Sequence, residues 1–340
     1  MSLISHSNGF TTKEPKKRFT FKFVLKVISA IILFCVVMGL VTNTLINKAN
    51  EKKFIKEDGY VSIDNKKNYY NIEGTEKPTI IFESSSGMGI SQWDGARKLL
   101  ADEFGIRSFA YDRDGFGFSD FTDKKSLEEQ AKELKLILRK VAISGPFILV
   151  GEGYGSLVMT NFAKEYPELV AGVILIAPIN ESSLGNTTYY DYFEKDKLKR
   201  NLDVFSSYIG ISNLIDKYIG LESPNELDKL LNEADYNNYK MLRSTLGFNN
   251  ALNAELETIL SLKDKSQTDG MFKDVPYVII NDKDNAIEQN KLKSLGSENL
   301  TTIINSDISS DIISLEKPEL ILKSVSYILK NIKLKESSNP

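Results

Sequence analysis

Glycines at alternate positions, Gly151, Gly153 and Gly155, follow the apolar run Phe147–Val150 and precede a helical pattern. A strand, a tight glycine turn and a helix of this kind present the residue at the turn to whatever lies above it. One reading is phosphate binding, since Gly151-x-Gly153-x-x-Ser156 begins like a dinucleotide fingerprint. The third glycine is missing, however. The next apolar run, Val170–Ile176, ends in Ala177-Pro178 with no acid to hold a ribose, which argues against that reading. Nucleophilic serine chemistry is the other reading. Ser84, Ser85, Ser86 and Ser156 flank small-residue turns, but a serine needs an adjacent base. No Ser-x-x-Lys lies near the turn, and the only histidine of the chain is His6. Without imidazole, no side chain has an ordinary pKa placed to shuttle a proton at neutral pH. The four serines are read as loop-tip and helix-start residues. Cys35 is the single thiol, so cysteine nucleophiles, disulfides and thiolate metal sites are excluded from the body of the chain.

The elements that would position these residues follow from periodicity. Strand-length apolar runs occur at Tyr60–Ile63, Tyr69–Ile72, Thr79–Glu83, Ile106–Tyr111, Phe147–Val150, Val170–Ile176, Tyr277–Ile280 and Leu300–Ile304. Helical spacing predicts helices over Gln92–Glu103, Leu127–Val141, Leu157–Tyr166 and Leu320–Ile332. Alternation of strand and helix implies an α/β fold with a mostly parallel sheet covered on both faces. Residues 181–268 break the alternation. They are rich in Tyr, Asn, Asp and Lys, with apolar residues at helical spacing, and predict an inserted helical cap. Within it, Lys195–Arg200 reads as a solvated helix face. The aromatics Tyr189, Tyr190, Tyr192, Phe193, Phe205 and Tyr208 either line a pocket under the cap or pack it onto the body.

The N-terminus has a different character. Val27 to Ile46 is an uncharged, mostly apolar run of 20 residues, preceded by Lys13, Lys16, Lys17, Arg18, Lys22 and Lys26. At about 1.5 Å per residue the run spans roughly 30 Å, the thickness of a bilayer's hydrocarbon. The expected order is a basic cytoplasmic segment over 1–26, a transmembrane helix over 27–46, a polar stalk over 47–57 and an extracytoplasmic domain over 58–340. A cleaved signal peptide would have a shorter apolar core and small residues at the cleavage site. The net charge of −3 conceals +5 in residues 1–26 against −8 in the rest. An acidic body gives no electrostatic reason to bind nucleic acid. The expected partners are lipid through residues 27–46 and an unknown small ligand or protein.

Four segments then fall into register: Ile80-Ile81-Phe82-Glu83-Ser84-Ser85-Ser86-Gly87-Met88-Gly89 with Trp93 beyond it; Tyr111-Asp112-Arg113-Asp114-Gly115-Phe116-Gly117-Phe118-Ser119-Asp120; Leu149-Val150-Gly151-Glu152-Gly153-Tyr154-Gly155-Ser156; and Leu315-Glu316-Lys317-Pro318-Glu319-Leu320. Together they resemble the α/β-hydrolase superfamily in its simply capped branch, over about residues 60–335. The resemblance implies a nucleophile at the centre of a Gly-x-Ser-x-Gly elbow, and here that centre is Gly153. It implies an acid at Asp284, which is kept. It implies a histidine seven residues before Pro318, where Asp311 stands. It also assigns oxyanion-hole amides to Tyr154 and Ser86, with Ser85 where members usually carry glycine. Glycine excludes the Ser, Asp and Cys forms of covalent catalysis together. The expectation is therefore a catalytically inactive member that needs no cofactor or metal. The alternative is an ester hydrolase using other residues. If Asp284 and Asp311 faced each other, a cation such as Ca²⁺ could join them; an Asp311 turned to solvent is the simpler arrangement.

Overall fold

The computed structural model describes residues 20–53, 59–185, 187–218, 226–262, 265–310 and 312–338. A helix α1 (Phe21–Lys53) leads into eight strands: β1 (Tyr60–Ile63), β2 (Lys66–Glu73), β3 (Glu76–Glu83), β4 (Ile106–Tyr111), β5 (Phe147–Glu152), β6 (Val170–Ile176), β7 (Tyr277–Asn281) and β8 (Thr301–Asn305). The predicted runs coincide with these strands. They form one sheet in the order β1-β2-β4-β3-β5-β6-β7-β8. The pairs from β4 through β8 are parallel, while β1 and β2 are antiparallel additions at one edge.

Strand periodicity sorts the apolar side chains into two layers. Ile81, Phe109, Leu149, Val173, Leu175 and Ile279 face one side, against α3 (Leu127–Lys140) and α4 (Tyr154–Glu165). Their neighbours Ile80, Phe82, Ala110, Ile148, Val150, Ile174 and Val278 face the other, against α2 (Asp94–Phe104) and α12 (Pro318–Ser338). This explains why the central strands read as continuous apolar runs: both faces are covered. Local signals set the helix ends. Ser126 and Glu129 form a reciprocal capping box at the start of α3, which satisfies two amides the first turn would otherwise leave unpaired. Gly105 ends α2 in the left-handed region at φ 61°.

Between β6 and β7 the described residues form α5 (Thr187–Tyr208), α6 (Ile211–Tyr218), α7 (Leu227–Leu230), α8 (Glu233–Leu242) and α9 (Leu246–Leu260). Short helices α10 (Ala286–Asn290) and α11 (Ile313–Glu316) follow β7 and β8. The aromatics of α5 divide. Phe193 packs into a small core with Tyr154 and Leu157. Phe205 and Tyr208 are about 60% exposed and line no pocket beneath the insertion, which corrects the reading that grouped them. The side chains of Tyr189 and Tyr192 lie outside the described residues. At the N-terminus the apolar stretch of α1 runs Phe21–Val41 with almost no burial.

Candidate functional site

The glycine turn after β5 adopts the strained geometry that an exposed elbow residue requires. Gly153 has φ 53° and ψ −118°, a region disfavoured for residues with a Cβ. Its amide donates to the Ile176 carbonyl (3.0 Å), which ties the turn to the end of β6. Gly155 is needed for a different reason: a Cβ there would lie 2.3 Å from the Glu83 carbonyl oxygen. The chain crossing between β3 and α4 is therefore closed to any side chain. At Gly153 itself there is room of a kind. A Cβ would meet only the Ser85 hydroxyl, at 3.2 Å. The elbow is built and aimed, and it carries no functional atom.

The serines have structural partners. Ser156 donates to the Gly153 carbonyl (2.6 Å) and accepts from the Ile179 amide (3.2 Å), fully buried. Ser84 accepts from the Trp93 indole (2.8 Å) and donates to the Gly89 carbonyl. Ser86, one of the two oxyanion-hole positions, is exposed and donates to Glu255 on α9 (2.6 Å). Tyr154, the other, begins α4; its buried hydroxyl is joined to Gln130 (2.7 Å).

Above the elbow sits a buried ionic group absent from the sequence reading. Arg113 reaches Glu83 through Nη1 (2.6 Å) and Glu255 through Nε (2.8 Å), and donates to the carbonyls of Ser84 and Ser85. Its guanidinium stacks between the rings of Tyr154 and Phe116, at 5.3 and 5.4 Å. Burial works against the Arg113 charge, but Glu255 and Glu83 outweigh it and raise its pKa. Burial pushes Glu83 up, with Arg113 and the Tyr111 hydroxyl opposing. Two carboxylates thus share one guanidinium in a buried setting.

A second network fixes the elbow from behind. Glu152, fully buried, accepts from Gln92 Nε2 (2.5 Å) and from the hydroxyl and amide of Ser314. Gln92 also donates to Ser314 (2.9 Å) and accepts from the Ser85 amide (3.0 Å). The first loop, the elbow and α11 are thereby stitched through one carboxylate. Burial raises Glu152 to about 7, against the pull of the Ser314 and Gln92 hydrogen bonds.

The acid position is less enclosed. Asp284 is exposed, donates its amide to Asp282 (2.8 Å) and accepts from the Ser309 hydroxyl. The buried acid at this corner is Asp282, which collects the amides of Asp284 and Asn285 and the side chain of Gln289. Asp311 lies outside the described residues, as does any pairing it makes. Among the described residues no three His, Cys, Asp or Glu side chains cluster as metal ligands.

Two cavities adjoin the loop residues, and Gly153 lines neither. One holds only about 40 Å³ between Arg113, Tyr154 and Glu255. The larger, of about 310 Å³, lies between the insertion (Asp235, Tyr239, Phe248) and the body (Tyr69, Asp94, Arg97, Asp112, Phe118). Its lining holds Glu73, Asp94, Asp112 and Asp235 against Arg97 alone. Arg97 is already engaged by Asn71 (2.5 Å) and Ser108 (3.0 Å) and lies 3.8 Å from Glu73. Asp94 is raised to about 6, by desolvation first and then by the charge of Asp235.

The comparisons agree with this architecture. The sequence matches the family described as the alpha/beta hydrolase fold over residues 78–290, and the chain belongs to that family. An uncharacterized protein of Bacillus subtilis (strain 168), YqjL, is 28% identical over 128 residues, which cover 37% of this chain and 48% of that one. The match thus spans about half the length of this relative. Among solved structures, the Cif epoxide hydrolase from Acinetobacter nosocomialis superposes with a TM-score of 0.65 at 15% identity, covering 86% of this chain and 96% of that one. The enol-lactonase from Burkholderia xenovorans LB400 gives 0.60 at 17%, covering 80% and 99%. At such identities the likeness is one of fold.

Proposed function

We propose that the chain is a membrane-anchored, extracytoplasmic member of the alpha/beta hydrolase family that binds a ligand and does not hydrolyse it. The observation that carries this reading is Gly153. It holds the elbow conformation with no atom to attack a substrate, and the Ser85 hydroxyl stands 3.2 Å from where its Cβ would be. Helices α8 and α9 act as a cap over the 310 Å³ cavity, which is of a size to receive a small molecule. The acidic lining favours a ligand with positive charge, and Tyr239, Phe118 and Phe248 suit an organic cation. The anchor is α1, whose Phe21–Val41 stretch is long and apolar enough to cross a bilayer, with the basic segment before it on the cytoplasmic side.

A fluorophosphonate probe tests the inactive reading directly, because it labels only an activated serine. The expected result is no labelling of the purified chain. Labelling lost on changing one serine would overturn the proposal. One serine favours the second reading, an ester hydrolase with other residues: Ser86, which contacts a carboxylate at 2.6 Å. That carboxylate, Glu255, also accepts from Arg113 through its other oxygen. Ser86→Ala is therefore the variant that separates the two readings.

A further inference from the structure

Helix α5 carries an apolar stripe on the face turned away from the protein. Leu198, Leu202 and Phe205 recur at i, i+4 and i+7 and fall within about 60° of one another on a helical projection. They are 70%, 58% and 61% exposed, with Tyr208 beside them at 59%. The opposite face of the same helix packs on α9, where Asn249 donates to the buried Ser207 hydroxyl (2.8 Å). The stripe is thus not a core face left uncovered by a missing element of this helix pair. Exposed Lys195 and Lys197 flank it, and exposed Glu194 and Asp191 lie on the same face one and two turns before Leu198. The apolar part of the face is therefore confined to the C-terminal half of the helix, where exposed apolar side chains suit a lipid surface.

The N-terminal helix supplies the location. The buried Gly39 of α1 meets the turn between α5 and α6 backbone to backbone: a Cβ at Gly39 would collide with the Ile209 carbonyl and with Gly210. Gly39 lies toward the outer end of the uncharged run, seven residues before Ile46, so that if α1 spans the bilayer the contact is about 10 Å from the end of the span. The contact therefore holds the C-terminal end of the α5 stripe in the outer part of the membrane, one residue after Tyr208. We infer that α5 docks on the outer leaflet of the bilayer through Leu198, Leu202 and Phe205. This docking rests on the anchored reading of α1, and its occupant is lipid.

Brominated-lipid quenching tests it on the full chain reconstituted in phosphatidylcholine–phosphatidylglycerol vesicles. The native Trp93 is fully buried and gives a constant background. Phe205→Trp should lose at least half of its added emission when the lipids are brominated near the headgroup end of the acyl chain. Leu202→Glu in the same background should restore it. Leu334→Trp, on an exposed site more than four turns along α12 from Pro318, should be unaffected. Absence of quenching at position 205, or equal quenching at 334, overturns the docking. Phe34→Trp, inside α1, reports the anchor separately. Quenching at 34 without 205 leaves the anchor standing and removes the docking; quenching at 205 without 34 does the reverse; quenching at neither removes both.

Discussion

The Ser85 hydroxyl stands 3.2 Å from the point where a Cβ at Gly153 would be, so the first loop and the elbow face each other with one small space between them. A serine at 153 would have to share that space and accept φ 53°. Strain of this kind costs of order 1–3 kcal/mol. Gly153→Ser should therefore fold, with urea denaturation showing a loss in that range. It should not turn over a nitrophenyl ester, because no imidazole lies near it among the described residues. Gly153→Ser with Asp311→His should be the first variant with measurable hydrolysis. Turnover by Gly153→Ser alone would falsify the view that the base is missing.

Arg113 is the only cation bonded to both Glu83 and Glu255 among the described residues. Removing one partner of a buried ionic group leaves the others uncompensated, which costs about 3–5 kcal/mol. Arg113→Met should lose about that much in chemical denaturation. Adding Glu255→Gln should recover part of it, since one of the two stranded charges is then gone. An Arg113→Met variant within 1 kcal/mol of the parent, on the scale of that same estimate, would mean the cluster is already neutralised by protons.

How much of this was visible in the sequence differs between backbone and side chains. The strands were legible because both sheet faces are covered, so Ile80-Ile81-Phe82 and Val173-Ile174-Leu175 read as unbroken apolar runs. The elbow was legible because Gly155 admits no Cβ against Glu83 and Gly153 needs positive φ. The Arg113 and Glu152 networks were not. Their partners come from distant segments: Glu255 is 142 residues from Arg113, and Ser314 is 162 from Glu152. One signal was present. Glu83 and Glu152 each end a central strand in otherwise apolar surroundings, and a carboxylate there must find a partner or a proton. Phe205 and Tyr208 were grouped with the other aromatics of the insertion as pocket lining or packing, since residue type does not say whether a helix face is covered.

The buried carboxylates set a pH dependence with a definite sign. Glu152 is raised to about 7 from 4.5, and Asp112 to about 6 from 3.8, each chiefly by desolvation. A group whose folded pKa is raised holds its proton longer in the folded state. Its contribution is complete below the unfolded value and is lost as pH rises through the folded one. Stability should therefore fall between about pH 4 and 7, seen as a declining melting temperature. Glu152→Gln should flatten that slope, because the amide does not titrate. A Glu152→Gln profile parallel to the parent over this window would show that Glu152 stays ionised in the folded protein.

The cavity beneath α8 yields a prediction about charge. Burial raises the cost of ionising Asp94, and the nearby charge of Asp235 adds to it. A bound cation relieves both effects, so binding should strengthen as pH rises through about 6, where Asp94 loses its proton. A four-carbon alkyl diamine or choline, titrated at pH 7.5, should raise the melting temperature, and the shift should shrink at pH 5. Asp235→Asn should weaken the effect about tenfold in apparent Kd, the equivalent of about 1.4 kcal/mol, while leaving the fold intact, since Asp235 is partly exposed. The same concentrations of an aliphatic dicarboxylate should give no shift, because Arg97 is already held by Asn71 and Ser108 and the surrounding carboxylates repel it. A dicarboxylate that stabilises more than the diamine would reverse the assignment and make Arg97 the ligand-binding group.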